Sequence, residues 1–391
     1  MTKKNIKIVT VIGARPQFIK AATISRVIEK HNIEKKNPEV QEIIVHTGQH
    51  YDLNMSQIFF DQLKIPIPKY HLEVGSGSHG QMTGKMLVEI ETVLQKEKPD
   101  WVLVYGDTNS TLAGALAAVK LHIPVGHVEA GLRSFNRRMP EEINRVVTDH
   151  ISTLLFCPTI TAVNNLENEG ITEGVFQVGD VMYDAFLFHR EQAFKRSTIL
   201  LDLDLKPKKY CLATVHRQEN TDDSASIINI FSAFEEIAKN NNPIIIPIHP
   251  RTRKTIDQLG IKGKLKSCIR LISPVGYMDM LVLESNACVI LTDSGGIQKE
   301  AYFAKIPCVT LRDETEWVET EQEGWNHIGG SQTETILSAY QAAMQFPFME
   351  QVKFYGDGTA SQLILQNLLF TSHQTLETVK FASNKNNNSK N

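Results

Sequence analysis

The sequence predicts an α/β protein built from two doubly wound, Rossmann-like domains that face each other across a cleft. Three observations predict this fold class. Short apolar runs recur, each followed by a longer segment with helical spacing, as in buried parallel strands joined by crossover helices. The runs form two groups, and 391 residues correspond to about two domains at roughly 150 residues each. Polar residues follow most runs directly, at the strand ends where parallel sheets bind ligands.

The composition narrows the functional classes. Hydrophobic residues make up 42% of the chain, and 41 basic against 44 acidic side chains give a net charge of -3, which gives no indication of a nucleic-acid partner. No apolar run approaches the roughly 20 residues of a membrane helix, and the start of the chain shows no cleavage site, so we expect neither membrane insertion nor secretion. The five cysteines show no CxxC spacing. We expect reduced core residues in a cytoplasmic protein, and no metal site.

The predicted strands are continuous apolar runs with polar or glycine borders. The first half contains IKIVTVIG (6–13), EIIVHTG (42–48), WVLVYGD (101–107) and IPVGHVEAG (123–131). The second half contains YCLATVH (210–216), PIIIPIHP (243–250), CIRLIS (268–273), ACVILTDSGG (287–296) and IPCVTLRDE (306–314). Helical spacing over residues 18–30 and 111–120 predicts two of the intervening helices.

The strand pattern lapses near residues 181–197, where a charged helical stretch intervenes, so the domain boundary is placed there. We expect an N-terminal domain over residues 1–185 and a C-terminal domain over residues 186–355. Residues 373–391 have too little apolar content to fold and are expected to form a disordered tail.

Two strand ends carry features that suit an anion. Ser294, Gly295 and Gly296 precede a predicted helix, so backbone N–H groups and a helix N-terminus converge there, which favours anion binding over simple turn chemistry. The pattern is neither a P-loop nor GxGxxG, so ATP and NAD are not indicated. Arg15, between Gly and Pro at the first strand end, suits a phosphate, with a solvated surface charge as the alternative.

Two carboxylates directly follow apolar runs. Asp107 comes after WVLVYG and Glu129 after IPVGHV, and burying either one unpaired would cost several kcal/mol. The structural alternatives are that Asp107 caps the helix beginning near Ser110 and that Glu129 pairs with Arg133. Carboxylates at the mouth of a site are the preferred interpretation.

Two further residues have an interpretation that is open from sequence alone. Glu141 lies in PEEINR, which has the pattern of a helix start, with Pro in the first turn and acids that suit the macrodipole. Taken alone, this favours a structural role. His216 is either an interior histidine or part of a polar loop with Arg217 and Glu219.

The combination indicates a nucleotide-sugar enzyme. A positive, amide-lined pocket suits a diphosphate. Three carboxylates exceed the single base that a two-Rossmann glycosyltransferase requires, and they suit proton transfer at carbon.

The ordered motifs GARPQFIK, TGQH, GDTNSTLAGALAA, HVEAGLRS, MPEEINR, HRQEN and TDSGGIQKEA, spanning residues 6 to about 370, resemble those of the non-hydrolysing UDP-N-acetylglucosamine 2-epimerases. The resemblance implies a GT-B fold, a homodimer, a UDP-sugar substrate, and no metal or nicotinamide cofactor. It implies inversion at carbon 2 by elimination of UDP to a 2-acetamidoglucal and re-addition, for surface polysaccharide synthesis. Residues 356–372 would form a helix crossing back to the N-terminal domain.

The resemblance also implies roles for individual residues, including a chemical role for Glu141. The N-terminal domain would carry acid/base carboxylates, and the C-terminal domain would bind UDP. The implied catalytic residues are Asp107, Glu129, Glu141 and His216. The implied substrate-binding residues are Arg15, Lys20, Gln49, His50, Arg145, Ser294, Gly295, Gly296 and Glu300.

The chain departs from the family pattern in three places. Gln49 and His50 persist, but the residues after them differ from a segment that helps form an allosteric site in bacterial members, so allosteric activation is not expected. Trp317 replaces an Arg. The loop SFNRRM is two residues shorter than usual and resembles the branch acting on UDP-2,3-diacetamido-2,3-dideoxyglucuronate, whose extra carboxylate Arg137 and Arg138 would bind. UDP-N-acetylglucosamine is the alternative substrate.

Two other activities remain open from the sequence. One is a hydrolysing epimerase that releases free N-acetylmannosamine. The other is a retaining glycosyltransferase of the GT-B fold.

Overall fold

The structure, a computed structural model, describes residues 5–48, 67–239, 242–261, 263, 265, 267–347 and 352–371, and of Arg15 the backbone alone. The chain divides into two compact units. The first comprises the described residues up to Ala185 together with those from Lys353 onward, and the second is Phe186–Val352.

The first unit contains a seven-stranded sheet in the order β3-β2-β1-β4-β5-β6-β7, with every described pairing parallel. Its strands are β1 (Ile6–Ile12), β2 (Val40–His46), β3 (Tyr70–His71), β4 (Trp101–Tyr105), β5 (Val125–Val128), β6 (Leu154–Cys157) and β7 (Val175–Gln177). Its helices are α1 (Arg15–Ile33), α2 (His79–Glu97), α3 (Asn109–Lys120), α4 (Pro140–Ile151), α5 (Ile160–Asn168) and a C-terminal helix at 360–371.

The second unit contains a six-stranded parallel sheet in the order β10-β9-β8-β11-β12-β13. Its strands are β8 (Cys211–Thr214), β9 (Ile244–Pro247), β10 (Ile269–Ile272), β11 (Val289–Thr292), β12 (Cys308–Thr310) and β13 (Asn326–Ile328). The helices from the unit boundary onward are α6 (Val181–Arg196), α7 (Ile199–Asp202), α8 (Gln218–Thr221), α9 (Ser224–Ala238), α10 (Pro250–Gln258), α11 (Tyr277–Asn286), α12 (Gly295–Ala304), α13 (Val318–Gln322) and α14 (Thr333–Gln345).

Both faces of each sheet are buried, which explains why the strands are apolar without alternation. In the second unit, Ala213 and Leu291 pack into one core cluster, while Leu212 and Ile290 pack into another. Consecutive residues of one strand therefore serve two cores on opposite faces.

Helix α3 packs closely on the centre of the first sheet because its residues are small. A Cβ on Gly114 would lie 3.1 Å from Val104 and 3.2 Å from Val11, so a larger residue here would push α3 off β1 and β4. This close packing fixes the loop between β4 and α3, which carries Asp107.

The direction of winding reverses at one point in each sheet, between β1 and β4 and between β8 and β11. Crossover helices leave a crevice at such a switch point, beyond the carboxyl ends of the two central strands, and open α/β sheets bind their ligands there.

The predicted fold class is confirmed as α/β, with two doubly wound parallel sheets, and the predicted strands correspond to β1, β2, β4, β5 and β8–β12. The sequence interpretation missed β3, β6, β7 and β13, which have two to four residues each. In the described part of the chain, no helix is both long enough and apolar enough to cross a membrane.

Candidate active site

The exit of β1 is built around Gly13 and Gln17. A Cβ on Gly13 would lie 2.1 Å from Thr47 Oγ1 and 2.2 Å from Ser110 Oγ, so only glycine fits. Gln17 Oε1 accepts hydrogen bonds from the N–H groups of Gly13 and Ala14, at 2.8 and 3.0 Å, and its Nε2 donates to the Tyr105 carbonyl at 2.8 Å. Gln17, which the sequence interpretation missed, therefore ties the end of β4 to the loop where α1 begins.

The first helix brings a cation to the predicted carboxylate Glu129. Lys20 Nζ forms an ion pair with Glu129 Oε2, and each side chain is only 9% exposed. Glu129 has the left-handed φ of 72°, which is strained for a residue other than glycine and turns its side chain back over Gly106. A Cβ on Gly106 would lie 3.2 Å from Glu129 Oε2 and 3.5 Å from Lys20 Nζ. The ion pair therefore lies directly over the residue before Asp107.

Helix α4 brings a second cation to Asp107. Arg145 Nη2 forms an ion pair with Asp107 Oδ2, and Asn144 Nδ2 donates to the Asp107 carbonyl at 2.9 Å. The Arg145 side chain is 4% exposed and also contacts Glu142 at 3.2 Å. Asp107 itself is 31% exposed, so it is fixed and yet accessible.

The predicted helix start at PEEINR is confirmed, since α4 begins at Pro140 with both acids in its first turn. Glu141 is half-buried there. Its neighbour Glu142, which the sequence interpretation missed, is 2% exposed and is the residue that contacts Arg145. The three-residue spacing of an acid and a base in PEEINR was the signal for this contact.

Both structural alternatives for the carboxylates are wrong. Thr108 caps α3, because its side chain accepts from the Thr111 N–H at 3.3 Å. Arg133 pairs with Asp149 and Glu169, at 2.7 Å each. Asp107 and Glu129 are therefore held by Arg145 and Lys20 at the switch point between β1 and β4.

In the second unit, a buried carboxylate organises the loop after β8. Asp293 is 0% exposed and accepts from the backbone N–H groups of His216, at 2.9 and 3.1 Å, and Arg217, at 3.0 Å. It also accepts from Asn220 Nδ2 at 3.1 Å. The His216 ring, 38% exposed, has Nδ1 3.6 Å from Asp293 Oδ1. The sequence placed Asp293 at a strand end without recognising this role.

His249 lies beside His216, and the neutral form of the His249 ring is favoured. Burial, the charge of His216 and the charge of Arg251 hold the pKa of His249 below its ordinary value, against the opposing effect of Asp293. Its Nδ1 accepts from the Arg251 N–H at 3.3 Å and caps α10.

The turn from Ser294 to Gly296 is the start of α12. Ser294 is the extended N-cap residue, and its own N–H donates to Thr292 Oγ1 at 2.9 Å. A Cβ on Gly295 would lie 3.2 Å from Trp317 Nε1, while Gly296 is exposed. The first-turn N–H groups of α12 therefore lie at the switch point between β8 and β11, an arrangement that binds anions.

The remaining predicted residues are placed as follows. Glu300 lies in α12 and is 6% exposed. Trp317 covers the cation of buried Lys299, with Nζ 4.0 Å from the ring centroid. Gln49 and His50 lie outside the described residues, as does the side chain of Arg15. Among the described side chains, no group of three or more His, Cys, Asp or Glu is arranged to hold a metal ion.

Comparisons with known proteins show the family to which the chain belongs. A family model described as UDP-N-acetylglucosamine 2-epimerase matches residues 32–369. A UDP-N-acetylglucosamine 2-epimerase homolog of Methanococcus maripaludis is 56% identical over 367 residues, covering 93% of this chain and 99% of its own length. A UDP-2,3-diacetamido-2,3-dideoxy-D-glucuronate 2-epimerase of Pseudomonas aeruginosa is 51% identical over 366 residues, with the same coverage. The structure of Methanocaldococcus jannaschii UDP-GlcNAc 2-epimerase with UDP-GlcNAc and UDP has a TM-score of 0.85 at 46% identity, covering 94% of this chain and 100% of that one.

Proposed function

Because the chain belongs to the UDP-N-acetylglucosamine 2-epimerase family, we propose that it is an epimerase that inverts carbon 2 of a UDP-linked 2-acetamido sugar. The reaction eliminates UDP to give a 2-acetamidoglucal and adds UDP back after the proton has returned to the other face of carbon 2. Its product supplies surface polysaccharide synthesis. The relative from P. aeruginosa and the structure from M. jannaschii carry the names of two such activities.

The observation that carries the proposal is the pair of fixed carboxylates at the first switch point. Proton transfer at carbon requires a base and an acid held in place, and general acid-base groups contribute about 10²- to 10⁴-fold in rate. Asp107 and Glu129 are held by Arg145 and Lys20. Glu141, in the first turn of α4, is the third candidate in this set.

Departure of UDP is the other half of the reaction. The proton on carbon 2 has no adjacent carbonyl and is weakly acidic, so stabilisation of the leaving group must lower much of the barrier. We assign this to the Ser294 hydroxyl, to the N–H groups of Gly295 and Gly296, and to the side chains of Arg15 and His216. Asp293 supports it by holding the His216 backbone.

The substrate that we propose is a UDP-linked 2-acetamido uronate. The loop after Arg133 is shaped by Glu142, which accepts from the N–H groups of Ser134 and Phe135 at 2.9 Å each. The same loop exposes Arg137 and Arg138 to solvent. A sugar carboxylate would find guanidinium partners there. UDP-N-acetylglucosamine has no such group.

Incubation in deuterated water tests the reaction. We expect deuterium at carbon 2 of a sugar that remains linked to UDP, with both epimers present at equilibrium. Free N-acetylmannosamine would instead identify a hydrolysing epimerase. No exchange with either UDP-N-acetylglucosamine or the diacetamido uronate would contradict epimerisation.

Removal of two positive charges from this loop tests the identity of the substrate. The double substitution Arg137→Gln and Arg138→Gln should lower kcat/KM for the uronate by about tenfold or more, the effect of losing one charge-assisted contact. It should leave kcat/KM for UDP-N-acetylglucosamine unchanged. Equal losses of kcat/KM for both substrates would mean that the loop does not bind the sugar carboxylate.

The proposal includes a homodimer, which the family resemblance predicts, and a cytoplasmic location. All five cysteines are free thiols, which suits a reducing compartment. Light scattering coupled to gel filtration tests the dimer, and fractionation of the source cells tests the location.

A further inference from the structure

His127 is a buried polar residue at the centre of the first sheet that the proposed chemistry does not use. It lies on β5, two residues before Glu129, and is 0% exposed. Its Nε2 is 2.7 Å from the Gly106 carbonyl oxygen, and its Nδ1 is 2.7 Å from Asp149 Oδ1. Burial at this depth requires that both ring nitrogens be satisfied.

The partners of the ring determine where its protons are. A carbonyl oxygen only accepts, so Nε2 carries a proton and donates to Gly106. The other partner, Asp149, has its second oxygen at 2.7 Å from Arg133 Nη1 and 3.1 Å from the Gly131 N–H. Two donors on that oxygen stabilise the ionised carboxylate, so the proton between the ring and Asp149 belongs on Nδ1. Both ring nitrogens therefore face acceptors, an arrangement that favours the imidazolium.

The surrounding charges balance this cation. Asp149 and Glu169 are the anions, and Arg133 joins them by binding both, with Glu169 at 2.7 and 2.8 Å. His127, Arg133, Asp149 and Glu169 together carry no net charge. The charge of His127, followed by Arg133, holds the pKa of Asp149 below its ordinary value against the effect of burial. Two further titratable groups lie in this environment. His150 has its Nδ1 3.9 Å from Glu169 Oε2, and Cys157 is kept as a thiol because burial, then the charge of Asp149, raises its pKa.

The imidazolium lies beneath the proposed acid-base groups. Gly106 accepts from His127 on its carbonyl, and its α-carbon lies under the Lys20–Glu129 pair. The next residue in the chain is Asp107. On the other side, Asp149 binds the N–H of Gly131, two residues after Glu129. His127 and Asp149 therefore hold the ends of β4 and β5, which carry Asp107 and Glu129.

We propose that His127, hydrogen-bonded on both ring nitrogens as an imidazolium, acts with Asp149 as a positioning dyad for Asp107 and Glu129. The dyad holds the Gly106 peptide and the turn of Glu129 in the geometry needed for proton transfer at carbon 2. Its role in catalysis rests on the proposed function, whereas its protonation state does not.

Nitrogen-15 NMR of histidine-labelled protein tests the protonation state independently of activity. We expect one ring signal, lost in His127→Gln, with both nitrogens protonated at neutral pH. His46 is the internal control, because burial, with a smaller effect of His71, lowers its pKa to about 4 and keeps it neutral. A His127 ring with one unprotonated nitrogen at neutral pH would overturn the proposal.

Kinetics test the positioning role. His127→Gln and Asp149→Asn should each lower kcat by about 10- to 100-fold, the range seen when the hydrogen-bond partner of a metal ligand is lost, with KM and UDP affinity changed less than about twofold. The double variant should be no slower than the slower single variant, because the two residues act as a unit. Multiplicative losses, or a rise in KM with kcat unchanged, would contradict the dyad.

A core variant separates positioning from simple loss of stability. Ile90 is buried in the hydrophobic core of the first unit, and Ile90→Val removes one methylene there, which should lower the free energy of unfolding measured in urea. Its kcat should stay at the wild-type value at a temperature where it and the dyad variants are fully folded. A kcat as low as that of His127→Gln in this control would assign the loss to stability instead. Failure of deuterium exchange in the wild-type enzyme would sink the proposed function and leave the NMR result standing.

Discussion

The carboxyl ends of the two sheets present polar groups of different kinds. At the first, the groups are charged side chains in contact with each other, with Lys20 on Glu129 and Arg145 on Asp107. At the second, they are mainly backbone N–H groups, either held by the buried Asp293 or presented by the start of α12. Two sheets with the same winding and the same switch point therefore carry different chemistry at the same place.

The difference follows from what each end is proposed to do. Proton transfer needs groups that gain and lose a proton, and these must be side chains held by counter-charges. Binding a diphosphate needs many weak donors fixed in direction, and backbone N–H groups supply these without the entropy cost of ordering long side chains. Variants that affect one end and spare the other test this division.

The largest effect is expected for Asp107→Asn. The amide cannot exchange a proton with carbon 2, so kcat and deuterium incorporation should fall by about 10²- to 10⁴-fold. The affinity for UDP, measured by calorimetry, should stay within about twofold, because UDP binding is assigned to the second end and to Arg15, and not to Asp107. Glu89→Gln, an exposed acid-to-amide change on α2, is the matched control and should retain full activity. Loss of UDP binding in Asp107→Asn would break the division.

Asp293→Asn should have the next largest effect, on stability and UDP binding together. The asparagine amide group would face donors at His216, Arg217 or Asn220, and hydrogen bonds to a buried charge contribute about 1.5 to 3 kcal/mol each. We expect the second unit to lose about 3 kcal/mol in urea unfolding. UDP affinity should fall at least about tenfold because the loop carrying His216 is released.

The matched control is Asp223→Asn, an exposed residue that keeps an N-cap acceptor for α9 and should change both quantities little. An Asp293→Asn protein of normal stability and normal UDP affinity would contradict the anchoring role.

The fold and part of the site were predictable from sequence because buried parallel strands are apolar runs and ligand residues follow them. The nine predicted runs correspond to nine strands. The short β7, with only half-buried and exposed residues, has no such signal. The contacts of Asp107 and Glu129 were not predictable, because Lys20 lies 109 residues from Glu129 and Arg145 lies 38 from Asp107. The left-handed turn at Glu129 also depends on these long-range contacts.

Arg15→Ala should weaken UDP binding by about 1.5 to 3 kcal/mol, the value of a charge-assisted contact, which is about 10- to 100-fold in Kd. The residue follows β1 in the first unit, so it sharpens the comparison by asking whether that end also contributes to holding UDP. Calorimetry with UDP measures the change, and Lys30→Ala, exposed near the far end of α1, is the control. Unchanged UDP affinity in Arg15→Ala would confine diphosphate binding to the second end.

The smallest effect is expected for the ion pairs of Glu97, near the amino ends of the strands of the first sheet. These pairs should stabilise the fold without taking part in the reaction. Glu97 contacts Lys69 Nζ at 2.7 Å, Tyr70 OH at 2.5 Å and Lys7 Nζ at 3.3 Å, and Lys69, then Tyr70, lower its pKa from 4.5 to about 2. A depressed pKa means that the stabilisation is complete above about pH 4.5 and is lost as pH falls towards 2. Lys69 is 54% exposed and screened by water, so we expect about 1 kcal/mol.

Glu97→Gln tests these ion pairs by urea unfolding across that pH range. Wild type should be more stable by about 1 kcal/mol at pH 7, the difference should shrink below about pH 4.5, and kcat should stay within about twofold of wild type. A difference independent of pH would mean that packing, and not charge, is what Glu97 contributes. A large loss of kcat would mean that ion pairs at both ends of the strands serve the reaction, and the contrast between the ends would fail.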